Sequence, residues 1–209
     1  IPFGNADGAI NLIREVAKGT PLGRIIGSGA AVTGKAFGVE RVPVVKGQAI
    51  PAYDPRAVKG LGVTYATSPM GADHTAGYAT ATNILQVGGF VHPLSPEGQV
   101  ELSRNLQIAT AAVDSTGMCV FIAFALLDQP ETNQALLDLL SSFYGAEFTN
   151  EGVAEFGKKI LSIERDFNER AGFTRAQDRL PEFFKTQVVP PHNVVFDVPD
   201  EELDTVFNW

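Results

Sequence analysis

The run Asp114-Ser115-Thr116-Gly117-Met118-Cys119 puts a carboxylate, a flexible glycine and a thiol at one break between apolar segments. A helix that breaks there exposes backbone amides and carbonyls to a ligand. The Asp114 carboxylate could accept hydrogen bonds from the N–H groups of a heterocycle, and the Cys119 thiolate could bind iron. On the residues alone, plainer readings stand beside these: Asp114 as a helix cap, and Cys119 as a small buried apolar side chain.

A second group of residues, Ser68-Pro69-Met70-Gly71-Ala72-Asp73-His74-Thr75-Ala76-Gly77, forms a loop of small side chains around one imidazole. Small residues let a ligand come close, and an imidazole gives or takes a proton near neutral pH. The competing reading is a histidine that only ties down its own loop. His92 beside Pro93 and His192 beside Pro191 read as loop histidines of that kind.

The elements that must position these groups are mostly helical. From Ala6 to Lys18, Ile10, Ile13, Val16 and Ala17 share one face; Thr20 then caps a helix with Pro21 in its first turn that runs to Gly38, making a hairpin. Between Val39 and Asp54, Pro43 and Pro51 punctuate an extended stretch that marks a subdomain boundary. Asp54 and Pro55 start a helix that ends near Thr67, before the His74 loop. Ser95-Pro96-Glu97 starts another that runs to Asp114, where Gly117 interrupts it ahead of a buried apolar stretch. Pro130 opens a helix that stops at Gly145. Thr149 caps a further one, in which Val153, Phe156, Ile160, Ile163 and Phe167 form a packing seam up to Gly172. The tail beyond Phe173 carries Pro181, Pro190, Pro191 and Pro199, and reads as a surface wrap ending in an acidic helix near Asp200 to Phe207. The expected fold is mainly α and multihelical, with two all-α subdomains and a Pro-rich C-terminal tail.

Composition narrows the function. A chain of 209 residues that is 44% hydrophobic and 19% charged can bury a real core. A net charge of -8 argues against a nucleic-acid partner, which would need clustered Lys and Arg. A single cysteine excludes an internal disulfide, and it excludes an iron-sulfur cluster ligated by this chain alone. The longest apolar run, Met118 to Leu127, is far shorter than the ~18 residues that span a membrane. The chain opens at Ile1 without a leader pattern, so the native polypeptide is expected to begin upstream.

Four spaced segments, in order, carry a family resemblance: IPFGNADGAINLIREVAKG at the start, VKGQAIPAYDPRAVKGLGVTYATSPMGADHTAG from Val45, DSTGMC from Asp114, and ERDFNERAGFTRAQDRLPEFF from Glu164. Over almost its whole length the chain resembles the C-terminal region of the aldehyde:ferredoxin oxidoreductase family. The resemblance implies that residues 1–43 are the tail of a middle helical domain and 44–209 a C-terminal helical domain. It implies a tungsten or molybdenum ion held between two pterin dithiolenes (tungstopterin or molybdopterin) beside a four-iron, four-sulfur cluster, both completed by the remainder of the same polypeptide.

By this resemblance Cys119 is the fourth cluster ligand, and Asp114, Gly117 and Met118 belong to a pterin-contacting motif in which Met118 replaces the commoner Leu. His74 matches the active-site histidine that acts on the substrate oxygen. Aldehyde-oxidising members carry an Arg and a Lys reaching the pterin phosphates where this chain has Met70 and Ala76. The implied activity is a two-electron oxidation of an aldehyde or related carbonyl compound, with electrons passed through the cluster to ferredoxin or an iron-sulfur subunit in the cytoplasm. The alternative is a non-catalytic helical binding or structural module that keeps the family fold.

Overall fold

Side-chain caps set the first helices. Asn5 accepts a hydrogen bond from the Gly8 amide at the start of α1 (Ala6–Lys18), and Thr20 accepts one from Gly23 at the start of α2 (Pro21–Gly27). In the computed structural model, which describes residues 1–209, the helix expected to run on to Gly38 is divided in two. Gly29 takes a φ of +90°, open to glycine and strained for other residues, and α3 (Ala30–Phe37) starts behind it. The shared face of Ile10, Ile13 and Val16 points outward, and no residue of α1 is buried. α1 instead meets α2 near its C-terminal end, where a Cβ on Gly23 would overlap the Glu15 carbonyl.

The Pro-punctuated stretch holds the only sheet, an antiparallel hairpin of β1 (Val44–Val45) and β2 (Gln48–Ala49) with Lys46 and Gly47 at its turn. Asp54 then caps a turn, its carboxylate accepting the Arg56 amide, so that α4 (Lys59–Thr67) begins at Lys59 rather than at Pro55. Every residue of α4 is buried. A helix surrounded on all sides shows no single apolar stripe. Its buried polar groups are paired: Lys59 Nζ with Asp197, and Thr64 Oγ1 with Ser103 Oγ at 2.7 Å.

The tail does not lie over the surface as its composition suggests. Leu180, Phe184, Phe196, Val198, Leu203 and Val206 join Leu61, Val63 and Tyr65 in one buried cluster, to which the tail contributes two short α-helices, α10 (Phe183–Thr186) and α11 (Asp200–Leu203). Phe196 packs on Gly62, where an added Cβ would come within 2.4 Å of the ring. These apolar residues are too irregularly spaced to show a period, yet they enclose the side of α4 that no long helix covers.

Beyond α5 (Thr80–Asn83), four helices build the rest: α6 (Gln99–Ser115), α7 (Ala123–Asp128), α8 (Pro130–Tyr144) and α9 (Asn150–Arg170). Thr149 caps α9 as its sequence predicts. The expected seam on α9 is displaced, because only Gly157 and Leu161 are buried while Phe167 is 71% exposed. α6 and α9 cross at Gly157, where an added Cβ would lie 2.1 Å from the Ile108 carbonyl oxygen. The stretch from Met118 to Leu127 is not buried either; Phe121 is 73% exposed.

Gly157→Ala should therefore push α6 and α9 apart and destabilise the protein by about 1–3 kcal/mol, the usual cost of overpacking a tight contact. Urea unfolding measures it. A change smaller than the fitting error would mean that the crossing tolerates a methyl group.

Candidate active site

The loop that carries His74 is clamped from three sides. Lys46, whose side chain is only 5% exposed, pairs with Asp178 Oδ1 at 2.7 Å, and its Nζ donates to the carbonyls of Ala66 and Ser68, each at 2.9 Å. Burial pulls this ammonium below its ordinary pKa, and the Asp178 charge opposes the shift. Asp178 Oδ2 also receives both Arg165 Nη atoms from α9, at 3.3 Å. Asn168 donates to the Pro69 carbonyl at 2.8 Å, and Thr64 Oγ1 to the Gly77 carbonyl at 3.0 Å. Within the loop, Asp73 accepts from the Thr75 amide and hydroxyl, a local turn that sets the direction of His74.

His74 is half-buried between two tyrosines, with ring centroids 5.5 Å from Tyr53 and 5.8 Å from Tyr78. The tyrosine hydroxyls share a hydrogen bond of 2.8 Å. Burial and that bond raise the Tyr78 pKa. His74 Nδ1 is buried and has no hydrogen-bond partner; the Asp73 carboxylate is 3.8 Å away, too far for one. An unpaired polar atom beside a cavity is suited to meet a ligand. The cavity next to it, about 220 Å³, is walled mainly by apolar side chains, among them Val113, Phe124 and Leu136.

A larger cavity of about 690 Å³ lies between the same loop, the end of α6, and α9. Thr110 of α6 lines both cavities, while Asp73 and Ala76 face the larger one and His74 and Thr75 the smaller. Asp73, Asp114 and Glu164 line the larger cavity with no Lys or Arg among them. Partial burial and the Asp73 charge raise the Asp114 pKa; partial burial and the Asp114 charge raise that of Glu164. Such a lining suits the N–H edge of a pterin-like heterocycle. It offers a phosphate no cation, and Met70 and Ala76 both line it.

Of the sequence-predicted residues, His74 and Asp114 therefore face two adjoining cavities. Gly117, Met118 and Cys119 line neither. Gly117 turns the chain at a φ of +78°, Met118 donates its amide to Thr116 Oγ1, and Cys119 stands exposed at the head of a short 3-10 turn rather than buried. Tyr78 lies outside the family-like segments; Lys46, Tyr53 and Glu164 lie inside them, but nothing in their type or spacing singles them out. Gln107 left a signal, because Gln99, Ser103 and Gln107 recur every four residues on α6 and are buried. No three His, Cys, Asp or Glu side chains of this chain gather as a metal site, so a bound ion or cluster would need further ligands.

The sequence of this chain has relatives among known proteins. The chain belongs to the aldehyde ferredoxin oxidoreductase family: residues 1–207 match the family described as aldehyde ferredoxin oxidoreductase, domains 2 & 3. It is 31% identical to the tungsten-containing aldehyde ferredoxin oxidoreductase of Pyrococcus horikoshii and 30% identical to that of Pyrococcus furiosus, in each case over 90% of this chain. The enzyme of the same description from Thermococcus kodakarensis is 29% identical. The chain spans 31% of the length of these relatives.

Two outcomes follow from the site's electrostatics. Lys46→Met leaves Asp178 with Arg165 alone and frees two carbonyls, and should cost on the order of 3 kcal/mol in urea unfolding; an unchanged midpoint would remove the clamp from the account. Asp114 has a folded-state pKa above its ordinary 3.8, so the folded protein holds more protons than the unfolded chain just above that pH. Stability attributable to Asp114 therefore falls as pH rises through this window and stays lowered beyond it. Asp114→Asn should raise the ligand-free Tm at pH 7 and leave it unchanged at pH 3; a lower Tm at pH 7 would reverse the sign.

Proposed function

We propose that this chain forms the substrate-facing and pterin-facing C-terminal part of a tungsten or molybdenum bis-pterin oxidoreductase, which oxidises an aldehyde or related carbonyl compound. The observation that carries the reading is the buried, unpartnered Nδ1 of His74, set between two tyrosines one loop turn from a carboxylate-lined cleft. Aldehyde oxidation combines substrate and water into a carboxylic acid, with release of two protons and two electrons. When bound, the metal-pterin group supplies the two-electron redox chemistry.

The protein's own groups supply the rest. His74 donates a hydrogen bond or a proton to the substrate oxygen, while the Tyr53 and Tyr78 rings flank the imidazole and keep it in place. The apolar wall of the smaller cavity excludes bulk water around the carbonyl carbon. Asp114 accepts hydrogen bonds from the pterin ring. Cys119, exposed beyond the end of α6, offers its thiolate to a four-iron, four-sulfur cluster whose other ligands come from the remainder of the polypeptide. Such a cluster, held in part by Cys119, would supply single-electron transfer to ferredoxin or an iron-sulfur subunit in the cytoplasm.

A second reading, a non-catalytic module, draws support from Met70 and Ala76, which leave the cleft without the cations expected to hold pterin phosphates. Metal analysis of the native polypeptide, purified without oxygen, separates the two. Iron together with tungsten or molybdenum supports the enzyme, and absence of all three supports the module. In the loaded enzyme His74→Ala should lower turnover by on the order of 10²-fold at unchanged metal content. Wild-type turnover would reduce His74 to a loop residue. Cys119→Ala should remove the cluster's visible absorbance, and an intact spectrum would end the ligand assignment.

A further inference from the structure

The larger cavity holds a second unpartnered group. Gln107 is 1% exposed and lines this cavity, and its Oε1 has no hydrogen-bond partner. Its orientation follows from its neighbours. Nε2 lies 3.0 Å from Thr67 Oγ1 and 3.1 Å from Ser103 Oγ. Thr67 already donates its only hydroxyl proton to the Val63 carbonyl, so it can only accept from Gln107, and the amide nitrogen must be on that side. The oxygen is left facing away from that network, as an acceptor in need of a donor.

Across the cavity α9 presents the Glu164 carboxylate among Ile160, Ile163 and Phe167. Its pKa is raised by partial burial and by Asp114, the shift expected when two acceptors face one space without a donor between them. The acceptors of Gln107, Glu164 and Asp114, the lack of a cation, and apolar walls with an exposed phenyl ring match a planar heterocycle that carries several N–H donors along one edge. They do not match a phosphate.

We propose that Gln107 Oε1 and the Glu164 carboxylate act with Asp114 as the acceptor set for the N–H edge of the pterin ring. The inference rests on the metal-pterin reading above and adds to it two positions that lie outside the Asp114 to Cys119 motif. Gln107 also links the ring to the substrate side. Through Ser103 Oγ and Thr64 Oγ1 its hydrogen bonds continue to the Gly77 carbonyl, three residues past His74. A ring bound at Gln107 therefore braces the loop that aims the imidazole.

The test uses the native polypeptide, wild type and carrying Glu164→Gln, Gln107→Met or both, purified without oxygen and passed through gel filtration. Pterin per chain is read by fluorescence after oxidative release, and the fold is checked by circular dichroism. Each single variant should bind the ring on the order of tenfold more weakly, the effect of making a charged acceptor neutral at Glu164 or of removing a buried acceptor at Gln107, and lose pterin during filtration. The double variant should lose more. Wild-type pterin content in the folded variants would show that water alone satisfies Gln107, and would overturn the proposal. Gln107→Met could disturb Ser103 and the fold; Glu164 is solvent-exposed at the cavity, and Glu164→Gln then decides alone. A wild-type protein that releases no pterin overturns the underlying metal-pterin reading instead, so the two failures are told apart.

Discussion

A lysine in a two-residue turn holds this molecule together. Lys46 leaves the β hairpin, is almost wholly buried, and reaches the end of α4, the start of the His74 loop and the Asp178 carboxylate of the tail. Arg165 brings α9 to the same carboxylate. Burying an ammonium is costly unless every proton finds an acceptor, and here two carbonyls and a carboxylate provide them. The hairpin, the end of α4, α9 and the tail are thereby required to meet around the Lys46–Asp178 pair. An apolar side chain at this place could pack as well, but it would not fix where the loop begins.

The core around this point is assembled from unlike pieces. α4 is buried throughout, and Gly62 lets the Phe196 ring lie against its backbone. Gly157 does the same for the crossing of α6 and α9. Close backbone approach at these two glycines leaves α6 flanked by space on two sides. One side becomes the apolar cavity of His74 and the other the acceptor-lined cleft of Asp114, with Thr110 common to both.

That division matters chemically. A proton-transfer group works best where water is scarce, whereas the edge of a heterocycle rich in N–H groups needs acceptors. The chain serves the two needs from opposite faces of one loop, with Asp73 on one side and His74 on the other. The absence of cations at Met70 and Ala76 leaves the cleft negative, which favours a neutral or N–H-rich ligand portion and disfavours a phosphate.

Much of the local structure was legible in the sequence because it is local. Thr20, Pro130 and Thr149 mark helix starts through side-chain and ring geometry, and Gly38, Gly145 and Gly172 mark ends through their left-handed backbone. The resemblance, too, resides in contiguous motifs, and His74 and Asp114 were found that way. The tail's place in the core, the outward face of α1 and the shifted seam of α9 were not legible, because apolar spacing shows that a face seeks burial and not what will cover it. The same limit hid Tyr53, Glu164 and Lys46, whose roles depend on partners many residues away. Sequence by itself determined the helices, the family and the residues with the right chemistry. Tertiary structure alone decided which of them share a cavity, because that depends on how closely two backbones can approach and on which buried charge finds its partner.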